Sequence, residues 1–207
     1  MLDPMAAVRI EGSTSRRAGA RLVELATALA MTVGRGAAAR TVADMAEVGP
    51  SDHVIDVGCG PGTAVREAVR RGATGTGVDP SPLMLGLAGW ISRARGLAPI
   101  TWSEGTAEAI PVADGYATVA WALSSVHHWT DRAAGLAELH RVLVPGGRVL
   151  LLERLTWPGA TGHATHGLTP GAARDLAAQL ADVGFEDVRV EIRKAGRRPV
   201  VTVRGTS

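Results

Sequence analysis

The sequence is most constrained at residues 54–64, where a short apolar run ends in a glycine-rich loop and a helical pattern follows. The apolar run is typical of a buried strand, and Gly58, Gly60 and Gly62 follow it at alternate positions. Glycine lets the backbone approach a ligand without a Cβ atom in the way, and a helix N-terminus offers unpaired N–H donors. A strand, a glycine loop and a helix in this order are therefore typical of a ligand-binding element.

Strand-like and helix-like segments alternate along the rest of the chain, which indicates a parallel sheet with helices on both faces. Apolar runs predict strands at residues 53–57, 74–78, 99–102, 117–123 and 148–152, with a closing antiparallel pair at 185–193 and 199–203. Helical spacing and N-cap signals predict helices at residues 63–71, 82–95, 131–143 and 170–183. The sequence therefore predicts an α/β fold with a doubly wound, mostly parallel, Rossmann-like seven-stranded sheet, which binds ligands at the carboxyl ends of its strands.

The chain of 207 residues is long enough for one well-buried domain. We expect residues 48–207 to form this domain and residues 1–47 to form a helical cap or lid. Within the cap, residues 1–18 have the composition of a mobile end, and helical spacing predicts helices at 22–30 and 37–46.

Composition narrows the possible partners and compartment. A net charge of +2 is poor support for a nucleic-acid partner. The single cysteine excludes an internal disulfide and favours a reducing compartment. No segment has the length of a membrane span or the pattern of a secretory signal, so we expect a cytoplasmic protein, either a monomer or a homodimer.

The glycine spacing separates three kinds of nucleotide loop. A dinucleotide fingerprint would place its third glycine at position 63, where this chain has Thr63 after Gly62. A phosphate-binding P-loop needs a Gly-Lys-Ser/Thr sequence, and no lysine stands near this loop. An NAD-dependent enzyme remains an alternative hypothesis, although the offset between Gly62 and Thr63 disfavours it.

The spacing that fits is Asp-x-Gly-x-Gly-x-Gly, beginning at Asp56. With it, the chain resembles the class I S-adenosylmethionine-dependent methyltransferases, in particular the type-11, ubiquinone/menaquinone-methylase-like family. Four blocks in the same order carry the resemblance, which covers about residues 54–153: VIDVGCGPGTA, GVDPSPLML, GTAEAIPVADGYATVAWALSSVHHW and LHRVLVPGGRVLLLE.

The resemblance implies a set of cofactor-binding positions. Asp56 and the glycine-loop backbone correspond to the pocket for the methionine end of the cofactor, and Asp79 corresponds to the carboxylate that accepts both ribose hydroxyls. Further positions correspond to the adenine wall and edge and to the region near the transferred methyl group. The full implied set is Asp56, Gly58, Cys59, Gly60, Gly62, Asp79, Pro80, Met84, Thr106, Ala107 and Ser124.

Thr106 departs from the family pattern, which usually has aspartate at this position. A hydroxyl can still accept a hydrogen bond from the adenine amino group, but the charge-assisted bond is lost. Glu108 is the nearby carboxylate. The departure keeps an alternative function open, namely a cofactor-binding protein of the same fold without transferase activity.

The resemblance also implies that Ser124, Ser125, His127 and His128 lie near the methyl group, because they follow the fourth strand. His127 and His128 are the candidate general bases. Methylases that act on exocyclic amino groups of nucleic acids carry Asn/Asp-Pro-Pro-aromatic at this position, whereas this chain has Ala122-Leu123-Ser124-Ser125. We therefore expect a small-molecule acceptor with an oxygen, nitrogen or carbon nucleophile.

Other chemically active residues receive structural interpretations. Cys59 is expected to be a small packing residue, and His163 and His166 are expected to be exposed loop residues, so no metal site is predicted. Trp121 and Trp129 fit either the core or a substrate pocket. The arginine-rich closing hairpin is interpreted as a solvated sheet edge.

Overall fold

The computed structural model describes residues 35–207, except for the side chains of residues 163 and 164. Its strands are β1 His53–Val57, β2 Thr74–Asp79, β3 Thr101–Glu104, β4 Ala117–Leu123, β5 Leu143–Arg154, β6 Glu186–Ala195 and β7 Arg198–Thr206. Its α-helices are α1 Gly36–Met45, α2 Thr63–Arg70, α3 Pro82–Ala94, α4 Arg132–Val142 and α5 Pro170–Asp182, with 3₁₀ turns at Val126–His128 and Gly162–Thr165. The mobile end predicted at residues 1–18 and the helix predicted at 22–30 lie outside the described residues.

The strands form one sheet in the order β3-β2-β1-β4-β5-β7-β6. The pairs from β3 to β5 are parallel, whereas β7 pairs antiparallel with both β5 and β6. This arrangement confirms the predicted fold class. The strand order reverses between β1 and β4, which places the ligand crevice beyond the carboxyl ends of these two strands.

Local sequence signals explain the helix starts. The side chains of Ser81, Asp131 and Thr169 each accept a hydrogen bond from the backbone N–H three residues later, at 3.4, 3.0 and 3.1 Å. Such N-caps satisfy donors that the helix itself leaves unpaired. They fix where α3, α4 and α5 begin, close to the predicted positions.

Two predicted strand starts are wrong by two residues or more. The third strand was expected at residues 99–102 but begins at Thr101, which pairs with Thr76 of β2. The fifth strand was expected at residues 148–152, but β5 already begins at Leu143. Pairing between β4 and β5 shifts register after Leu143 and resumes at Arg148, so the predicted Pro-Gly-Gly turn is an irregularity inside the strand.

Alternate residues of the central strands pack on opposite faces of the sheet, because side chains alternate along a strand. On one face, Trp121 and Leu150 join α1 and α2, whose buried side chains include Val42 and Ala68. The other face carries the larger core cluster under α4 and α5. Helix α1 therefore packs on the sheet, while the boundary between a cap and a core domain at residue 47 stays a prediction. Among the described residues, no helix combines the length and the apolar character needed to cross a membrane.

Candidate active site

The glycine loop after β1 is held to the end of β2 by main-chain donors. The N–H groups of Gly58 and Cys59 both donate to the carbonyl oxygen of Val78, at 2.9 and 3.0 Å. The N–H of Gly60 donates to Asp79 Oδ2 at 2.7 Å. These donors are occupied within the protein, so the loop does not offer them to a pyrophosphate. The geometry therefore disfavours the dinucleotide alternative.

Gly58 lies where the glycine loop contacts the residue pair after β4. Its φ is +73°, and a Cβ atom there would lie 2.5 Å from Ser125 Cβ. The Ser125 hydroxyl is buried and donates to the carbonyl oxygen of Val57 at 2.9 Å. Only glycine fits this contact without displacing Ser125. Ser124, the predicted cofactor contact, is half-buried with a φ of +52°, so Ser125 is the serine that contacts the loop.

Gly62 and Cys59 have packing roles in the same loop. Gly62 precedes α2 with a φ of +73°, and a Cβ atom there would lie 2.2 Å from the Trp102 ring. The Cys59 thiol is buried, and it would lie 2.9 Å from a Cβ atom placed on Gly77. Burial raises the pKa of the Cys59 thiol well above its usual value. A buried, protonated thiol is a packing group rather than a nucleophile.

Asp79 connects the end of β2 to both the glycine loop and the next helix. One carboxylate oxygen accepts from Gly60 N–H, and the other accepts from Ser81 N–H at 2.9 Å. Sequence reasoning found no folding role for this residue, and the structure supplies one. Each carboxylate oxygen has two acceptor positions, so capacity remains for the hydroxyl groups of a ligand.

Asp56, near the end of β1, is a buried carboxylate beside a cation. Burial raises its pKa to about 7, while the Arg35 charge and the facing Trp121 indole oppose this increase. Among the described residues, Trp121 Nε1 has no hydrogen-bond partner of regular geometry. Arg35 and Asp56 line one cleft together with Ala39, Gly58, Cys59, Thr63, Ala64 and Leu123.

Sequence reasoning missed Arg35. Burial lowers its pKa, and the negative charges of Asp56, Glu153 and Asp79 oppose the decrease. Its guanidinium therefore lies in the field of the carboxylates at the carboxyl ends of three strands. The local pattern Gly34-Arg35-Gly36 indicates only the end of a helix, so no sequence signal identified this residue.

The predicted adenine-side residues follow β2 and β3. Pro80 is exposed, and Met84 is buried in the first turn of α3. Thr106 is exposed shortly after β3, whereas the side chain of Ala107 belongs to the core cluster. Because β3 pairs with β2 up to Asp79, the structure brings Thr106 to the same edge of the sheet as Asp79.

Glu108 fastens this segment to the start of α4. Its Oε1 accepts from the backbone N–H groups of Thr130 and Asp131, at 2.7 and 3.1 Å. Burial alone would raise the pKa of Glu108, but hydrogen bonds from the backbone and from the Thr106 side chain outweigh burial and hold the pKa below its usual value. Glu108 therefore fixes the position of the loop that carries Thr106.

The candidate bases lie in the 3₁₀ turn after β4. His127 Nδ1 lies 3.0 Å from Glu153 Oε2, and the N–H of Val126 donates to Glu153 Oε1 at 2.9 Å. Glu153 is only 1% exposed. Sequence reasoning missed it as a site residue, although a carboxylate that ends the apolar run LLLE was an available signal.

A third imidazole joins the two candidate bases. The ring centroid of His166 lies 5.4 Å from that of His127 and 5.9 Å from that of His128, while the rings of His127 and His128 are 4.0 Å apart. Burial, followed by the charges of His127 and His166, lowers the pKa of His128. His166 is exposed as expected, but its contacts with His127 and His128 were not predicted.

The two tryptophans left open by the sequence both pack in the interior. Trp121 is fully buried in the core cluster that includes α1 and α2. Trp129 is half-buried against the other core cluster. Its ring packs closely on Gly135, where an added Cβ atom would lie only 2.6 Å from the ring.

Comparison with known proteins agrees with this geometry. Residues 55–151 match the family described as "Methyltransferase domain". The ubiquinone/menaquinone biosynthesis C-methyltransferase UbiE of Rubrivivax gelatinosus is 34% identical over 109 residues, which are 53% of this chain and 42% of that protein. The chloroplastic tocopherol O-methyltransferase of Arabidopsis thaliana is 32% identical over 158 residues, 75% of this chain and 41% of that protein. This chain thus spans about two fifths of each of these relatives.

A solved structure supports the same fold. A SAM-dependent methyltransferase from Aquifex aeolicus superposes with a TM-score of 0.68 at 17% identity, covering 81% of this chain and 88% of that chain. The matched blocks and the sheet order agree with these comparisons. Residues 55–151 are similar to the methyltransferase domain family, and the fold of the chain is that of a SAM-dependent methyltransferase.

Proposed function

We propose that this protein transfers the methyl group of S-adenosylmethionine to an oxygen, nitrogen or carbon nucleophile of a small molecule. The observation that carries the proposal is the double contact of Asp79, which binds the glycine loop and still has acceptor capacity at the carboxyl edge of β2. An acceptor-only group at this position suits the two ribose hydroxyls of the cofactor.

The charges beside the glycine loop suit the amino-acid end of the cofactor. The loop N–H groups are occupied, so this end must be held by other groups. The Asp56 carboxylate can accept hydrogen bonds from the cofactor ammonium, and the Arg35 guanidinium can pair with its carboxylate. Met84 and the segment around Thr106 would then contact the adenine.

The reaction needs alignment more than it needs a reactive side chain. A lone pair of the acceptor attacks the methyl carbon, the carbon–sulfur bond breaks, and sulfur keeps the electron pair as S-adenosylhomocysteine forms. A hydroxyl or amine acceptor also loses a proton, for which the imidazoles of His127 and His128 are the proposed acceptors. Holding the two reactants in line supplies most of the acceleration.

Partner and compartment belong to the same proposal. Ser124 and Ser125 follow β4, where methylases that act on nucleic-acid bases carry Asn/Asp-Pro-Pro-aromatic. The two serines therefore support a small-molecule acceptor over a nucleic-acid base. The buried, unpaired Cys59 fits a reducing cytoplasm. We expect a monomer or a homodimer.

Calorimetric titration with S-adenosylmethionine and S-adenosylhomocysteine tests the proposal. We expect both to bind the wild type and Asp79→Ala to weaken binding by about 100-fold, because two hydrogen bonds to a charged group are lost. Asp175→Ala removes an exposed carboxylate of α5 and serves as the matched control. Wild-type protein that binds neither ligand at millimolar concentration would refute the proposal. Binding without transfer to any member of a broad panel of acceptors would support the non-catalytic alternative.

A further inference from the structure

Three imidazoles from two distant segments meet beside the proposed acceptor position. His127 and His128 follow β4, and His166 lies in the segment between β5 and α5. Each imidazole places one ring nitrogen in this cluster, and these three nitrogens lie within 4.8 Å of one another. Neutral imidazole nitrogen is a preferred ligand of zinc and of neighbouring divalent transition metals.

The three ring nitrogens would have to move only slightly closer together to bind one metal ion. Zinc–nitrogen bonds of about 2.0–2.1 Å in a tetrahedron place the ligand nitrogens about 3.3 Å apart. His128 and His166 are exposed, so rotation of their side chains can bring the nitrogens closer without disturbing the core. Three protein ligands leave a fourth position open, which is the arrangement of catalytic rather than structural zinc sites.

One ring nitrogen of His127 is already held by a carboxylate, which leaves the other nitrogen for a metal. Its Nδ1 lies 3.0 Å from the carboxylate of Glu153, which is 1% exposed. A carboxylate that accepts from one ring nitrogen selects the tautomer whose other nitrogen, Nε2, can bind a metal. Glu153 also accepts from Val126 N–H, so the position of the carboxylate itself is determined.

The backbone that carries His166 is anchored close by. Thr156 N–H donates to the Leu168 carbonyl at 3.0 Å, and Leu168 N–H donates to the Arg154 carbonyl at 2.9 Å. Leu155 and Leu168 form a bridge in which both side chains are buried. His166 therefore lies two residues from a fixed point, which limits the cost of ordering it around a metal.

We propose that His127, His128 and His166 form a binding site for one divalent transition-metal ion of the zinc type, with Glu153 as the positioning residue of His127. The consequence for catalysis rests on the proposed function. A hydroxyl of the methyl acceptor at the open position would be acidified by the metal. His127 and His128 cannot bind the metal and accept this proton at the same time, so the proton would pass to solvent water while the metal stabilises the remaining alkoxide.

Metal binding can be measured without a methyl acceptor or the cofactor. Full-length protein without a polyhistidine tag is stripped with a chelator, then titrated with Zn²⁺ by calorimetry and with Co²⁺ by visible absorption. We expect one ion per chain and the intense absorption bands of tetrahedral cobalt. His128→Ala and His166→Ala should each weaken zinc binding by about 100-fold or more, and Glu153→Gln by about 10- to 100-fold.

His140→Ala is the matched control, because His140 packs against Phe185 at a ring distance of 5.0 Å, outside the three-histidine cluster. It should bind zinc as the wild type does, and circular dichroism checks that each variant is folded. Wild-type zinc affinity in both His128→Ala and His166→Ala would overturn the proposal, as would a wild type that shows no tetrahedral cobalt spectrum. Asp79→Ala should lose cofactor binding but keep zinc binding, so failure of the metal site and failure of the proposed function are distinguishable.

Discussion

The site has two ends that are held in different ways. The cofactor end, formed by the glycine loop and the end of β2, is held by main-chain donors. The histidine end, formed by His127, His128 and His166, is held by contacts between side chains. At the cofactor end, the N–H groups of Gly58, Cys59 and Gly60 bind the last two residues of β2. At the histidine end, imidazoles contact one another and a carboxylate of β5. The first end needs glycine at fixed positions, and the second needs particular side chains in distant segments.

This difference explains why the two ends are not equally visible in a sequence. A main-chain loop with positive φ leaves a glycine pattern within a few residues. A side-chain cluster leaves no local pattern, because its members are brought together by the sheet order. Substitutions of the loop glycines should therefore cost both stability and binding, and mutations at the histidine end mainly chemistry.

The largest effect is expected from Gly58→Ala. The new Cβ atom would lie 2.5 Å from Ser125 Cβ, and the residue would keep a φ of +73°. Overpacking and left-handed strain together should lower the free energy of unfolding by roughly 2–5 kcal/mol. Urea denaturation of the cofactor-free protein measures this loss.

Two controls separate the clash from the strain in Gly58→Ala. Gly96→Ala has a similar φ of +61° but meets open space, so it should cost only about 1–2 kcal/mol. Adding Ser125→Gly to Gly58→Ala removes the clashing side chain and should recover part of the loss. If Gly58→Ala and Gly96→Ala are equally stable, the contact between the loop and Ser125 does not constrain the site.

The next effect is a dependence of stability on pH that originates at Asp56. Burial raises its pKa to about 7, above the value of about 3.9 in an unfolded chain. The folded state therefore holds this proton more tightly, and its stability falls as the pH rises from about 4 to 7. Asp56→Asn removes the titration and should make the cofactor-free protein more stable at pH 8 by roughly 2–4 kcal/mol.

Urea denaturation at several pH values between 4 and 8 measures the Asp56 effect. The two proteins should be similar near pH 4 and diverge as the pH rises, while the exposed-site control Asp175→Asn should follow the wild type. The same Asp56→Asn change should weaken cofactor binding, because it removes a charge that the ammonium group requires. If the unfolding free energies of wild type and Asp56→Asn change with pH in parallel, ionisation of the buried Asp56 does not destabilise the folded protein.

The sequence predicted the sheet and most element positions, because strand patterns and N-caps are local signals. The cofactor-end residues that the family resemblance implies stay a prediction. Sequence reasoning did not identify Arg35 or Glu153 as site residues, because their roles depend on which carboxylates or imidazoles the fold brings near them. It also missed the meeting of His166 with His127, since these residues belong to separate segments. The family resemblance implied a ligand role for Asp79, which stays a prediction, whereas its contact with Gly60 became apparent only from the structure.

The smallest effect is expected from Glu108→Gln, which distinguishes a loop-fastening role from direct adenine recognition. Glu108 accepts two backbone hydrogen bonds from the start of α4. Because this carboxylate is half-exposed, its loss should cost only about 1 kcal/mol of unfolding free energy. Hydrogen bonds from the backbone and from the Thr106 side chain outweigh burial and lower the pKa of Glu108, so this stabilisation is present at neutral pH and is lost as the pH falls below about 4.

Cofactor affinity is the measurement that separates the two roles of Glu108. Suppose that Thr106 contacts the adenine and Glu108 only positions the loop. Glu108→Gln should then change the cofactor affinity less than about threefold. Thr106→Ala should weaken the affinity by about tenfold, which is the loss expected for one hydrogen bond. Glu104→Gln removes an exposed carboxylate of β3 and should change neither affinity nor stability. The opposite ranking, with Glu108→Gln the weaker binder, would assign adenine recognition to the carboxylate. The adenine contact would then depend on a side chain held by a distant segment, as at the histidine end, and the contrast between the two ends would be smaller than proposed.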